Sequence, residues 1–272
     1  MLVRVLGSSA AEGFPGLFCV CPVCQKARAK GGKDIRRRSA YLLGDTVMVD
    51  WGPDAYHSMI ALNVDYAPLR HLLVSHSHQD HWMPEDLAFR RKGFSVIPEN
   101  SVLTVHGNQA VGDKLKTVLD DLDVVALSYR RAVAFEERDL GDGLVGIPLP
   151  ANHAPDEEAF NWLVRTPEGS VLFGNDTGWY PAESWDFLAG ESLRVVFMDS
   201  TSGSIPARDH HMGCVVVVEV RDMMCKMGIL APGARFISNH FSHNGGMLHS
   251  DLYDFYAPHG IEVAYDGMEV AL

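Results

Sequence analysis

The sequence has little positive charge and no long apolar run. Its 23 Lys and Arg residues are outnumbered by 35 Asp and Glu residues, and the formal net charge is −12 with His neutral. Because proteins neutralise nucleic-acid phosphates with clustered Lys and Arg, this balance argues against a nucleic-acid partner. The one basic cluster, Lys33 with Arg36, Arg37 and Arg38, is interpreted as a solvated turn or strand entry, or alternatively as a phosphate-contacting patch. No apolar stretch is long enough to cross a bilayer, so we expect no membrane association.

Cysteine is also sparse, and its five copies do not suggest a disulfide framework. The count is odd, and three of the cysteines crowd together at Cys19, Cys21 and Cys24. The first residues are too soon interrupted by charge to form a secretory signal, and they predict a strand instead. We therefore expect a cytoplasmic protein whose crowded cysteines bind a metal, while Cys214 and Cys225 act as small apolar helix residues.

Short apolar runs and helical stretches alternate along the chain without a repeat or a long linker. The length allows one α/β domain, so we predict a single domain over residues 1–272. Strands are predicted at 2–6, 41–43, 46–50, 71–75, 101–106, 144–149, 161–165, 171–175, 195–199, 235–239 and 262–264. Helices are predicted at 84–92, 109–120, 181–189, 211–227 and 248–256. This mixture indicates layers of sheet and helix.

Potential metal ligands follow four of the predicted strands. His76, His153, Asp176 and His240 each come directly after a predicted strand or within four residues of its end. Strand ends are where a rigid sheet can direct side chains into a shared cleft. Four such ends, each delivering a His or an Asp, predict one composite site.

The densest group of potential ligands is the hexapeptide at residues 76–81, with the sequence His-Ser-His-Gln-Asp-His. A turn after a strand can direct alternate residues to one side, so His76 and His78 can share one metal. Asp80 and His81 fall around the bend and can reach a second metal. Imidazole suits Zn, Mn and Fe, and carboxylate ligands favour harder ions. Two divalent ions held in this way would clamp a phosphoryl group.

This hexapeptide resembles the signature of the metallo-β-lactamase fold, whose four-layered αββα sandwich fits the predicted α/β mixture. The resemblance implies a first metal bound by three histidines, which are His76, His78 and His153. It implies a second metal bound by one aspartate and two histidines, which are Asp80, His81 and His240. Asp176 would bridge the two ions.

A second metal site is indicated by the cysteines at positions 19–24. Cys19, Cys21 and Cys24 supply three thiolates, and a structural tetrahedral zinc needs four protein ligands. His243, three residues beyond His240, is the best candidate for the fourth ligand. The two histidines would then face different metals across one turn. The predicted domain thus carries an N-terminal zinc knuckle at 19–24.

The cysteine knuckle narrows the resemblance to two branches of the fold. It resembles PhnP-type phosphoribosyl cyclic phosphodiesterases and PqqB-type proteins of pyrroloquinoline quinone biosynthesis. Residues 7–15, Gly-Ser-Ser-Ala-Ala-Glu-Gly-Phe-Pro, resemble both branches, and the Gly-Phe-Pro portion leans toward PqqB. Residues 263–268 resemble the closing strand of PhnP-like proteins, so the resemblance extends over nearly the whole chain.

The PhnP-like resemblance also implies a catalytic histidine that binds no metal. His211, before Met-Gly and a predicted helix, matches that position better than His210, although the choice between the two stays open. The leading hypothesis is hydrolysis of a small anionic phosphodiester, with His211 assisting the leaving oxygen and Asp80 serving at the dimetal centre. The metals would be Zn or Mn, or alternatively Fe. A homodimer is expected by analogy.

Three other functions remain open at this stage. The same site could hydrolyse a carboxylic ester, lactone or thioester. The chain could have a PqqB-like biosynthetic role with iron at the site. It could also be a non-catalytic metal-binding protein that retains the fold, although the complete ligand set argues against this.

Overall fold

Fourteen strands form two seven-stranded sheets in the computed structural model, which describes residues 1–272. The first sheet has the order β14-β1-β2-β3-β4-β5-β6, with β1 (Leu2–Gly7), β2 (Ala40–Leu43), β3 (Val47–Val49), β4 (His71–Leu73), β5 (Leu103–Gly107), β6 (Leu127–Arg131) and β14 (Glu269–Ala271). The second sheet has the order β13-β12-β11-β10-β9-β8-β7, with β7 (Arg138–Asp139), β8 (Val145–Pro150), β9 (Phe160–Thr166), β10 (Gly169–Gly174), β11 (Leu193–Asp199), β12 (Leu230–Asn239) and β13 (Ile261–Val263).

Six α-helices accompany the sheets: α1 (Pro22–Lys30), α2 (Ala55–Leu62), α3 (Gln109–Val118), α4 (Ala182–Leu188), α5 (Cys214–Lys226) and α6 (His249–Tyr256). Short 3₁₀ helices occur at Gly32–Asp34, Pro84–Arg90, Asp123–Val125, His243–Gly245 and Ala257–His259. None of the helices has the length and apolarity needed to cross a membrane.

The alternation of side chains along the first sheet defines the layers. Leu73 and Val49 belong to the large apolar core shared with the second sheet, whereas their neighbours Leu72 and Met48 belong to a separate core. That second core also contains Val111 of α3, so helices cover the outer face of the first sheet. Helix α5 packs on β12 and α6 on β13, which covers the second sheet. The predicted four-layered αββα sandwich is therefore confirmed.

All eleven predicted strands are present, but five elements have no counterpart in the sequence prediction: α1, α2, β6, β7 and β14. Helix α1 is short and polar, and the cysteine knuckle at its start obscured any apolar periodicity. Strand β7 has only two residues and β14 three, which is too short for an alternating pattern. The helix predicted at 84–92 is instead the 3₁₀ helix Pro84–Arg90.

The directions of the strands gather the polar residues at one edge of the sandwich. Strands β10, β11 and β12 are parallel to one another, and β8 has the same direction because it pairs through the antiparallel β9. In the first sheet, β3 and β4 are also parallel. The carboxyl ends of these strands therefore supply side chains to a common cleft.

Several turns at this edge hold non-glycine residues in the left-handed backbone region. The φ angles are 63° at Asp50, 47° at Asp176 and 60° at His240. Such a conformation costs an L-residue on the order of 1 kcal/mol or more, and it is concentrated at functional sites. Each of these three residues directs its side chain into the cleft described below.

Candidate active site and cysteine knuckle

The first cluster in the cleft consists of three histidines. His76 is fully buried beyond the end of β4, His78 is exposed, and His153 after β8 is partly exposed. The His76 Nε2 atom lies 2.8 Å from His78 Nδ1, which lies 3.3 Å from His153 Nε2. Three imidazole nitrogens thus converge on one point at the solvent-facing side of the cleft.

The second cluster is more deeply buried and contains carboxylates. Asp80, His81, Asp176 and His240 all have less than a tenth of their surface exposed. His81 Nε2 lies 2.9 Å from Asp80 Oδ2 and 3.3 Å from His240 Nε2. These four side chains bring their ligand atoms within 4.8 Å of one another.

Asp176 lies between the two clusters. Its Oδ2 atom is 3.3 Å from His240 Nε2 and 3.8 Å from His76 Nε2, and it contacts His81 Nε2. Its Oδ1 atom is 4.0 Å from His153 Nε2. Oδ2 is buried, yet no donor reaches it with hydrogen-bond geometry. An orphaned buried carboxylate oxygen among imidazole nitrogens is suited to a bound cation.

Partners on the outer side of the imidazoles orient these clusters for metal binding. His81 Nδ1 lies 2.7 Å from Asp50 Oδ2, His240 Nδ1 lies 2.8 Å from Thr201 Oγ1, and His76 Nδ1 lies 3.0 Å from Ser75 Oγ. A partner on one ring nitrogen fixes the tautomer and leaves the lone pair of the other available to a metal. The residues present therefore fit a pair of divalent ions.

The electrostatics of the cleft agree with this donor set. Burial lowers the pKa of His76 well below its ordinary value, which keeps the imidazole neutral and able to bind a metal. Burial alone would also lower the pKa of His81. The neighbouring carboxylates outweigh burial and raise the pKa of His81 well above its ordinary value; they belong to Asp80, Asp176 and Asp50. Three carboxylates around one buried imidazole form an excess of negative charge that divalent cations would neutralise.

Two carboxylates of this site were missed from the sequence. Asp50 accepts the Ser75 N–H at 2.8 Å in addition to its contact with His81. Asp199 ends β11 and is fully buried, where it accepts hydrogen bonds from the backbone N–H groups of Thr201 and Met212, each at 3.0 Å. Each follows an apolar run directly, and this position was the signal that could have identified them.

The histidine pair at 210–211 divides clearly between two environments. His211 Nδ1 lies 3.0 Å from Asp199 Oδ2 and 3.5 Å from Asp176 Oδ1. Burial opposes a charge on His211, but Asp199 outweighs it and raises the pKa to about 9. His210 is exposed, and its Nδ1 instead lies 2.5 Å from the carbonyl oxygen of His153. Of the pair, only His211 reaches the carboxylates of the cleft.

Trp179 and Arg208 contact each other close in the chain to two residues of the cleft. The Trp179 N–H donates to the Arg208 carbonyl at 2.7 Å, and the Arg208 guanidinium lies 3.9 Å above the Trp179 ring. Trp179 follows Asp176 by three residues, and Arg208 precedes His211 by three. Arg208 thus forms a cation–π pair with Trp179, and its guanidinium is also paired with the Glu219 carboxylate.

A separate apolar cavity of about 610 Å³ lies by α2 and the Pro84–Arg90 helix. Trp51, Tyr56 and Phe89 are among its lining residues, and none of the predicted ligands reaches it.

The cysteine knuckle forms a distinct cluster. Cys19, Cys21, Cys24 and His243 place their ligand atoms within 4.8 Å of one another. His243 Nδ1 lies 3.6 Å from Cys19 Sγ and 3.7 Å from Cys21 Sγ. The Cys24 N–H donates to Cys21 Sγ at 3.4 Å, and this hydrogen bond is the main cause that lowers the pKa of the Cys21 thiol to about 6. Burial raises the pKa of the Cys24 thiol. Three thiolates and one imidazole in one closed cluster fit a tetrahedral zinc.

Comparison with known proteins identifies the family. Residues 45–234 match the model of the beta-lactamase superfamily domain, which is well over half of the 272-residue chain. The chain therefore belongs to the beta-lactamase superfamily and has the metallo-β-lactamase fold. This is a family of metal-dependent hydrolases. The matched range includes the hexapeptide, His153 and Asp176, whereas His240 and the cysteine knuckle lie outside it. A search of curated proteins finds no match.

Solved structures extend the fold similarity to the whole chain. A diphosphatase of the PhnP family matches with a TM-score of 0.78 at 23% identity, covering 100% of this chain and 97% of that one. PqqB from Methylobacterium extorquens, solved with bound Zn²⁺, matches with a TM-score of 0.75 at 16% identity and covers 100% of both chains. The short form of human tRNase Z matches with a TM-score of 0.68 at 14% identity, covering 100% of this chain and 99% of that one. The predicted resemblance to the PhnP and PqqB types is confirmed at the level of the fold.

Proposed function

We propose that this protein is a dimetal phosphodiesterase that hydrolyses a small anionic phosphodiester, such as a phosphoribosyl cyclic phosphate. The observation that carries the proposal is the convergence of two ligand clusters on Asp176, with His211 alongside at 3.5 Å from Asp176 Oδ1. A pair of ions with an adjacent imidazole that need not bind metal is suited to phosphoryl chemistry.

The residues of the cleft divide into two ligand sets. His76, His78 and His153 would hold one divalent ion, and Asp80, His81 and His240 would hold the other, with Asp176 shared between them. Zn or Mn suits these ligands, with Fe as the alternative. When bound, the ions would supply Lewis-acid polarisation of the phosphoryl oxygens and activation of the attacking water.

His211 is proposed as the group that transfers a proton to the leaving oxygen. Asp199 accepts the hydrogen bond from His211 Nδ1 at 3.0 Å, which leaves Nε2 as the atom available to the substrate. Asp199 is itself held by two backbone N–H groups, so it orients the imidazole firmly.

The cysteine knuckle is proposed to bind a structural zinc through Cys19, Cys21, Cys24 and His243. It would tie the N-terminal segment to the turn after β12, because His243 lies three residues beyond His240. Free cysteines suit a reducing compartment, so we also propose a cytoplasmic protein that binds neither membranes nor nucleic acid and forms a homodimer.

The test is turnover by protein loaded with Mn²⁺ or Zn²⁺. Bis(p-nitrophenyl) phosphate and ribosyl 1,2-cyclic phosphate are the phosphodiester substrates, and a γ-lactone is the comparator for ester hydrolysis. We expect phosphodiester hydrolysis that His76→Ala abolishes. Faster hydrolysis of the lactone than of either phosphodiester, or equal rates for wild type and His76→Ala, would overturn the proposal. Iron recovered in place of Zn or Mn, without any hydrolysis, would favour the PqqB-like alternative.

A further inference from the structure

The hexapeptide that carries four candidate ligands has no regular secondary structure of its own. It lies between the end of β4 at Leu73 and the 3₁₀ helix that begins at Pro84. Ser77 stands between His76 and His78, so a shift of its backbone would move the attachment points of both imidazoles. His78 is exposed, and packing therefore does little to fix it.

The donors of Ser77 are bound by Glu157. The Ser77 N–H lies 3.1 and 3.0 Å from the two carboxylate oxygens of Glu157, and the Ser77 hydroxyl donates to Oε1 at 2.8 Å. The remaining oxygen accepts from Asn108 Nδ2 at 2.7 Å. Asn108 also caps α3 by accepting the Val111 N–H at 2.9 Å. The carboxylate thus joins the hexapeptide to the start of a helix.

The carbonyl of Ser77 is bound from the other side by Lys114 of α3. Its Nζ donates to the Ser77 carbonyl at 2.9 Å and to the Trp82 carbonyl at 2.6 Å. Trp82 directly follows His81, so one ammonium group contacts the hexapeptide near both of its ends. The main-chain N–H, the carbonyl and the hydroxyl of Ser77 are therefore all held by charged side chains.

We propose that Glu157 and Lys114 are positioning residues that set the geometry of the first metal-binding cluster. Glu157 follows His153 by four residues in the same loop. Its bonds to Ser77 therefore fix the loop of His153 relative to His76 and His78, the other two ligands of that cluster. Neither residue belongs to a ligand cluster. The inference rests on the proposed metal binding, but not on the identity of the substrate.

Glu157→Gln is the decisive variant, because it keeps the shape of the side chain and removes one acceptor. In wild type, three donors from Ser77 and Asn108 share the two carboxylate oxygens. The Gln amide offers only one oxygen, and its NH₂ group would face one of these donors instead of accepting from it. Loss of a group that hydrogen-bonds directly to a metal ligand weakens metal binding by about 10–100-fold, and Glu157 acts through the intervening Ser77, so the lower end of that range is expected. We expect Zn²⁺ affinity to fall about tenfold, and chelator dialysis to leave one ion fewer per chain than in wild type.

Glu158→Gln is the matched control. It removes the same charge one residue away, where the exposed carboxylate lies 3.3 Å from Arg131. We expect its zinc content and affinity to equal those of wild type. Thermal melting of both chelator-treated variants should match wild type, which separates a loss of positioning from a loss of folding.

Two further variants keep the proposal testable if Glu157→Gln folds poorly. Ser77→Ala removes only the hydroxyl bond and should weaken zinc binding less, about threefold, and its effect should not add to that of Glu157→Gln. Lys114→Met should weaken binding in the same direction as Glu157→Gln.

Equal zinc affinity in Glu157→Gln and Glu158→Gln would overturn the inference. So would weakened binding in both variants, since charge alone would then explain it. If wild type binds zinc in the cleft but cleaves no phosphodiester, the proposed substrate class fails while this comparison still decides the role of Glu157. If wild type binds no zinc in the cleft, both proposals fail.

Discussion

The active-site cleft and the cysteine knuckle are both clusters of potential metal ligands, but they differ in access. In the cleft, the ligand cluster that contains Asp80, His81 and His240 is buried, whereas the three-histidine cluster reaches solvent at the exposed His78. The knuckle closes its three cysteines and His243 on one another, and His243 lies three residues along the chain from His240. A catalytic metal needs an open position, whereas a structural one has its coordination filled by protein.

The function of each cluster follows from its ligand chemistry together with its access to solvent. The cleft has carboxylates among its donors and a histidine held by Asp199 alongside, both of which suit a hydrolytic centre. The knuckle has three soft sulfur donors and connects two distant segments, which favours stability. We therefore predict opposite effects: cleft variants should lose activity, and knuckle variants should lose stability.

The largest effect is expected for Asp176→Ala, which removes the carboxylate shared by both ligand sets. Losing the shared ligand forfeits several kcal/mol of charge stabilisation, so kcat/KM for bis(p-nitrophenyl) phosphate should fall by about 10³-fold or more. Asp186→Ala, an exposed aspartate on α4, is the control and should match wild type. Activity within tenfold of wild type in Asp176→Ala would contradict the placement of Asp176 at the centre of the site.

A smaller loss is expected for His211→Asn, which removes the proposed proton donor and leaves the ligands in place. General acid catalysis is worth about 10²–10⁴-fold, so kcat for an alkyl phosphodiester should fall by about 10²-fold. The metal content should stay at the wild-type level. Because a good leaving group needs little protonation, the loss should be smaller for p-nitrophenyl esters than for alkyl esters. An equal loss for both, or a lost ion, would exclude this role.

The knuckle variant Cys24→Ser should have the smallest effect on catalysis. Cys24 is fully buried in the cluster, so losing its thiolate should release the structural zinc. We expect the free energy of unfolding to fall by about 2 kcal/mol or more, since the binding energy of such a metal is folding energy. The folded fraction should keep kcat within about threefold of wild type. Denaturant titration would measure the free energy of unfolding, and kinetics at a single temperature would measure kcat. A large loss of kcat without destabilisation would contradict a purely structural role for the knuckle.

The sequence alone identified the local chemistry and the long apolar strands. The hexapeptide and the three cysteines were recognisable because their ligands lie within a few residues of one another. His243 was identified from its spacing to His240, and the structure brings it within 3.6 Å of Cys19 Sγ. The binding of metals at these clusters stays a prediction, as does the single domain over residues 1–272.

What the sequence did not reveal depends on long-range packing. Asp50 and Asp199 look like ordinary residues at strand ends, and only the sheet order brings them to His81 and His211. Glu157 has no local partner pattern, because its contact with Ser77 joins residues 80 positions apart. Helix α2 has a low amphipathic contrast, with exposed Tyr56 and Ile60, so its periodicity did not distinguish it.

The most direct test of the account is the position of bound metals in a crystal of zinc-loaded protein, measured by anomalous scattering at the zinc edge. The account predicts three peaks per chain. One should lie among His76, His78 and His153, a second among Asp80, His81 and His240, and a third among the knuckle cysteines and His243. Both cleft peaks should contact Asp176. A single cleft peak, or a cleft without any peak beside an occupied knuckle, would contradict the dimetal centre on which the proposed function depends.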